Sequence, residues 1–357
     1  MEKKLNILLV FFIVLYKNIM YWPMVTNKML YLLIIIVGIF SLLSFSRKSL
    51  VKKQFMFMIT LIVILIYAVF HSESANLLFP IFILFSFYNQ KNAYKDIAKY
   101  YFFSLIICLA MTMLLNGIGV LPSYNITRSY IIRYSLGYIH PGFVYLYFLF
   151  ICVSGYYAFN NDKKLMLILT PFALLFYKLS LSRTGIVCFL ILLILSIFYQ
   201  NRDAIKFSKL TKYLFFILTI LTIVSVKLYD NQVLTQIDFL FSGRLANFSY
   251  FINNGLLTNP FGKMNFSTTV YTIDNLFLVL FYDYGYIGYI LYGLLTFISI
   301  KKNITDKKFI ICMFVFLIYG MCDSNTIVTS INFLIPIQLL IIFDNSKKKG
   351  GDLVEKM

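Results

Sequence analysis

Six arginines and 26 lysines carry nearly all the positive charge of this chain, and the two residue types are distributed differently. Arg183 stands in Ser180-Leu181-Ser182-Arg183-Thr184-Gly185, a tight turn between two apolar runs, and Arg244 stands in Ser242-Gly243-Arg244-Leu245. A guanidinium presents a planar fork of donors and stays charged beside a low-dielectric wall, so these settings suit a phosphate or a carboxylate. Arg128 and Arg133 precede Gly137-Tyr138-Ile139-His140-Pro141-Gly142, where His140 is either a cap before a helix-starting proline or a substrate contact. Asp274, in Ile273-Asp274-Asn275, leads into a long apolar run. There a carboxylate either caps the helix or takes a proton from an attacking hydroxyl. Gly285 and Gly288 follow, one helical turn apart, as a smooth face for close helix packing. With two histidines and five cysteines that lack ligand spacing, neither a metal nor an organic cofactor is expected. Walker, dinucleotide and nucleophile-elbow sequences are absent.

The elements that must position these residues are membrane helices. Of the 357 residues 61% are hydrophobic and 13% charged, more apolar surface than a water-soluble interior can absorb. Apolar runs long enough for a bilayer recur near 6–22, 29–46, 54–70, 75–90, 98–116, 138–159, 165–181, 184–200, 212–228, 274–299, 309–322 and 328–343. The expectation is an all-α polytopic bundle of about 12 spans, a single integral membrane domain over 1–357.

Orientation follows from the loops between the spans. One alternate set of loops, including both termini, holds 23 of the 32 basic residues, so it is assigned to the cytoplasm. The opposite set contains Arg128, Arg133, Arg183 and Arg244 and two longer segments, 117–137 and 229–273. Long loops among short ones are where function concentrates. The net charge of +18 is spread over span ends and is read as topology signal, with membrane lipid and no nucleic acid as partner.

The twelve spans, the long external loop, Ser242-Gly243-Arg244 and Ile273-Asp274-Asn275 together resemble the Wzy family of bacterial O-antigen and capsular polysaccharide polymerases. Ser182-Arg183-Thr184-Gly185 is similar to that family's arginine-bearing turn. Asp274, Asn275, nine residues, then Gly285 and Gly288 resemble a motif of the related O-antigen ligases, with Asp where those carry His.

The resemblance implies a glycosyltransferase in the cytoplasmic membrane of a bacterium. It would join repeat units carried on undecaprenyl pyrophosphate, at the outer face, by inverting transfer that needs no metal. It implies catalytic roles for Arg183, Arg244 and Asp274, with the two arginines on donor pyrophosphate and Asp274 activating or positioning the acceptor hydroxyl. Arg128, Arg133, His140 and Asn275 would contact substrate, and a flippase and a chain-length regulator would be partners. The alternative is a flippase or transporter of lipid-linked oligosaccharide, for which charges in mid-membrane are expected; these spans hold few.

Overall fold

The computed structural model describes residues 2–45, 74–88, 90, 92–128, 131–160, 162–199, 204–229, 238, 244–262, 273–328 and 330–343. In chain order the elements are α1 (Glu2–Met20), α2 (Asn27–Phe45), α3 (Ser74–Phe87), α4 (Ala93–Gly117), β1 (Ile126–Arg128), β2 (Ile131–Arg133), α5 (Gly142–Ala158), α6 (Asp162–Ser180), α7 (Arg183–Phe198), α8 (Ala204–Lys227), α9 (Arg244–Asn253), α10 (Leu276–Lys302), α11 (Lys307–Gly320) and α12 (Leu334–Phe343). By its internal contacts the chain divides into two compact units, Met1–Phe198 with Val328–Met357, and Tyr199–Ile327.

In the first unit α5 is the central element. Every residue from Val144 to Tyr157 is buried, as expected of a helix that is apolar on all sides. α4, α6 and α7 pack around it, α1 lies between α2 and α4, and α12 packs on α3 and α4. The buried hydroxyl of Ser154 is satisfied within its own helix by the Phe150 carbonyl at 2.7 Å.

One buried polar network ties α1, α4 and the entry to α5. Asn18 donates to Thr112 Oγ1 at 2.9 Å and accepts from the Tyr138 hydroxyl at 2.8 Å, and Trp22 Nε1 donates to the same threonine at 3.0 Å. Leaving any of these unpaired would cost roughly 1–3 kcal/mol. The segment expected as a loop over 117–137 is thus anchored at its exit, where Tyr138 is held. It also contains an antiparallel hairpin, with Ile126 opposite Arg133 and Arg128 opposite Ile131.

In the second unit α8 lies between α10 and α11. Within the expected loop over 229–273 the described stretch 244–262 is not extended chain: α9 and the 3-10 turn Leu256–Thr258 fold back onto the helices. Phe248, Phe251 and Leu256 form one apolar cluster with Val226 of α8 and Leu278 and Phe281 of α10.

α10 is broken inside. Gly285 has φ 68° and ψ −174°, backbone open in practice only to glycine. The Tyr286 and Ile287 amides, which would otherwise bond back along the helix, donate instead to the Asn259 and Pro260 carbonyls at 3.0 and 3.4 Å. A Cβ on Gly285 would stand 2.3 Å from Pro260 backbone atoms. The expected smooth face of Gly285 and Gly288 is therefore corrected: Gly285 admits a neighbouring strap of chain and interrupts the helix, which resumes beyond it.

Eleven of the twelve expected apolar runs coincide with helices among the described residues; the run 54–70 lies outside them. Three helical stretches, Ala93–Gly117, Lys206–Lys227 and Leu276–Lys302, are long and apolar enough to cross a membrane, which fits an integral membrane protein. Others are apolar but short. α12 has 10 residues, about 15 Å at 1.5 Å per residue, because 330–333 is largely turn and Asn332 caps the Leu334 amide at 3.0 Å.

Candidate functional site

The second unit brings Arg244, Asp274 and Asn275 together. Arg244 opens α9, whose first free amides need acceptors. Asp238, almost fully buried, supplies them: its two carboxylate oxygens accept from the Leu245 and Ala246 amides at 2.8 and 3.3 Å. That fixes the backbone under Arg244. Its Nε stands 3.7 Å from Asp274 Oδ2, with the arginine side chain 28% and the aspartate 49% exposed. A pair this accessible contributes little to stability. Its consequence is geometric: one edge of the guanidinium is oriented by a carboxylate while the side chains remain open to a ligand.

Asp274 does not cap α10. Asn275 does: its Oδ1 accepts from the Leu278 amide at 3.1 Å. Its Nδ2 donates to the Met321 carbonyl at 2.9 Å, beyond the end of α11. Asn275 is 1% exposed. Asn275, expected to contact substrate, here uses its Oδ1 to cap α10 and its Nδ2 to tie that helix to the end of α11. With the cap supplied next door, Asp274 is left for Arg244.

The same tie brings in a residue that sequence reasoning passed over. Asp323 follows α11 at the turn Ser324–Ile327. Its Oδ2 accepts from the Tyr319 hydroxyl at 2.9 Å and its Oδ1 from the Asn325 amide and Nδ2 at 2.9 and 3.0 Å. Burial raises its pKa; hydrogen bonds from Asn325 and Tyr319 oppose the rise and the charge of Asp274 adds to it, leaving the carboxyl above its ordinary value. The signal in the sequence was a lone aspartate closing an apolar run, in a chain with 14 acidic residues in all.

The first unit holds the remaining expected residues. Arg183 is the exposed first residue of α7, reached through Leu181 at φ 51°, a conformation few non-glycine residues adopt. Two residues on, a Cβ at Gly185 would meet the Tyr145 ring at 2.2 Å, so α7 passes α5 at a distance only glycine permits. Arg133 is brought to the same turn: its Nε donates to the Ser180 carbonyl at 2.7 Å, and the Tyr134 amide donates to the Leu179 carbonyl at 2.9 Å. A cation on the last carbonyls of α6 is favoured by the helix dipole, and this contact fastens the hairpin to the Arg183 turn. His140 is exposed, and its Nδ1 accepts from the Gly142 amide at 3.0 Å, a cap on the start of α5. Arg128 lies in β1 opposite Ile131. Ser242 and Gly243, expected beside Arg244, lie outside the described residues.

What the fold defines is a helical membrane protein with a guanidinium–carboxylate pair and a second carboxylate where two antiparallel helices meet. No family model, no curated protein and no solved structure matches the chain.

Proposed function

We propose that the chain is a polysaccharide polymerase of the Wzy type, joining undecaprenyl-pyrophosphate-linked repeat units at the outer face of a bacterial cytoplasmic membrane. In this reading the protein crosses the membrane about 12 times with both termini in the cytoplasm. The Lys-rich ends of α10 and α11, at Lys301, Lys302, Lys307 and Lys308, then face inward. Arg244, Asp274 and Asp323 face outward with the opposite ends of those helices.

The observation that carries the reading is the Arg244–Asp274 pair at 3.7 Å. A carboxylate beside Nε orients a guanidinium, whose fork of terminal donors has the width of a phosphate. In the transfer, an acceptor hydroxyl oxygen attacks the anomeric carbon of the donor. The bond from that carbon to the diphosphate breaks, and the electron pair leaves on a diphosphate oxygen. Charge grows on that oxygen as the bond lengthens, and a fixed guanidinium stabilises the transition state more than the ground state. Asp274 positions Arg244 for this task. Arg183, whose turn is fastened through Arg133 and Gly185, stands on the first unit, and its expected role on donor pyrophosphate stays a separate part of the proposal.

Purified protein in liposomes supplied with a lipid-linked repeat unit tests the proposal. A ladder of lengthening glycans is the expected product. Translocation of the lipid with no new glycosidic bond would replace this reading by transport.

A further inference from the structure

We propose that Asp323 is the proton acceptor for the attacking hydroxyl, a role that rests on the polymerase reading above. Asp274 faces Arg244 Nε, so its negative charge is committed to holding a cation that must itself face the leaving diphosphate. A proton delivered to Asp274 would neutralise the group that orients Arg244 while charge builds on the leaving group. A base placed one step away avoids that conflict.

Asp323 is such a group. The Asn275–Met321 hydrogen bond of 2.9 Å fastens the start of α10, next to Asp274, to the end of α11, next to Asp323. The turn Ser324–Ile327 also packs against α10. Asp323 is partly buried and fixed by three donors, two on Oδ1 and one on Oδ2. Two oxygens offer about four lone-pair directions, so Oδ2 keeps one for a hydroxyl. Among the described residues the titratable and charged groups that face it are Tyr319 of α11 and Asp274 at the head of α10, with Arg244 of α9 paired to Asp274. Burial and the like charge of Asp274 raise its proton affinity, as suits a carboxylate base near neutral pH.

The step balances without another reactant. The hydroxyl oxygen forms its bond to the anomeric carbon, its proton moves to Asp323 Oδ2, the diphosphate departs with its electron pair, and the proton passes to water afterwards.

The test is the rate of ladder formation against pH, in liposomes, for wild type, Asp323→Asn, Asp323→Glu and Asp274→Asn. Asp323→Asn is expected to lose about 10²- to 10⁴-fold, and Asp323→Glu to recover part of the loss. Asp274→Asn removes the like charge that raises Asp323. Its acid limb should therefore move to lower pH while the plateau falls as Arg244 loses its partner. A purely structural role for Asp323 predicts no such movement, and the Asp274→Asn profile reads it even if Asp323→Asn fails to fold. Undiminished rates in folded Asp323→Asn, or an unmoved acid limb in Asp274→Asn, overturn the assignment of Asp323 and leave the polymerase reading standing. Absence of any ladder from wild type overturns both.

Discussion

At the residue scale the account turns on how guanidinium groups are held. Arg244 is set by two carboxylates with separate tasks, Asp238 on the helix amides beneath it and Asp274 on its Nε. Arg244→Ala should slow polymerisation about 10²- to 10³-fold, the cost of one electrostatic donor in a transition state. Arg244→Lys keeps the charge but loses the fork, and its rate should stay at least about tenfold below wild type. Equal rates for Lys and Arg would remove the bidentate contact from the account. Asp238→Ala touches no substrate in this reading. It should cost about 1 kcal/mol of stability through the lost cap, seen as a lower melting temperature in detergent, and should slow the reaction by freeing the backbone under Arg244.

The arginines and Asp274 were legible in the sequence because their types and neighbours were unusual. The division of labour between Asp274 and Asn275 was not. Either could have capped α10, and only the Met321 carbonyl, 46 positions away, decides which one does. The Ser180 carbonyl that engages Arg133 lies 47 positions away and leaves no trace in local composition, whereas the cap that His140 gives the Gly142 amide is local and is one of the two readings of His140-Pro141-Gly142.

At the scale of elements, hydropathy located the helices well because each run is apolar over several turns and is bounded by Lys, Asn or Gly. What it could not see is how the intervening chain folds back. Residues 244–262 carry Phe248, Phe251 and Leu256, enough apolar surface to pack on α8 and α10 as a small helical cap, yet too little to stand out in a window averaged over a membrane span. The break at Gly285 is equally non-local, since the carbonyls that satisfy Tyr286 and Ile287 come from Asn259 and Pro260. Gly285→Ala should therefore be strongly destabilising. The backbone conformation alone accounts for about 1–3 kcal/mol, and the contact with Pro260 adds to it. Gly38→Ala, in α2 with no atom near the added methyl, should be neutral or stabilising by up to about 1 kcal/mol. Comparing the two melting temperatures isolates the strap from any general sensitivity of helical glycines.

At the scale of the whole molecule the proposal is a topology with its guanidinium groups on one side. Asn253 is exposed in the second unit on α9, and Lys302 is exposed at the far end of α10. Cys322 is the one native thiol that is not buried, so Cys322→Ser gives a quiet background. In intact cells an impermeant maleimide should label Asn253→Cys and spare Lys302→Cys; the reverse pattern would turn the protein over and place Arg244 in the cytosol. The proposed count of about 12 spans rests on charge alternation and not on helix length: three described helical stretches reach bilayer length, and α3, α11 and α12 have 14, 14 and 10 residues.

The central claim, that Arg244 grips a lipid-borne diphosphate, is tested most directly by equilibrium binding of undecaprenyl diphosphate and undecaprenyl monophosphate to the purified protein and its Arg244→Ala variant. The account predicts that wild type prefers the diphosphate by about tenfold or more, roughly 1.4 kcal/mol, and that the preference disappears in the variant. Equal affinity for the two lipids, or a preference that survives the loss of Arg244, would contradict it.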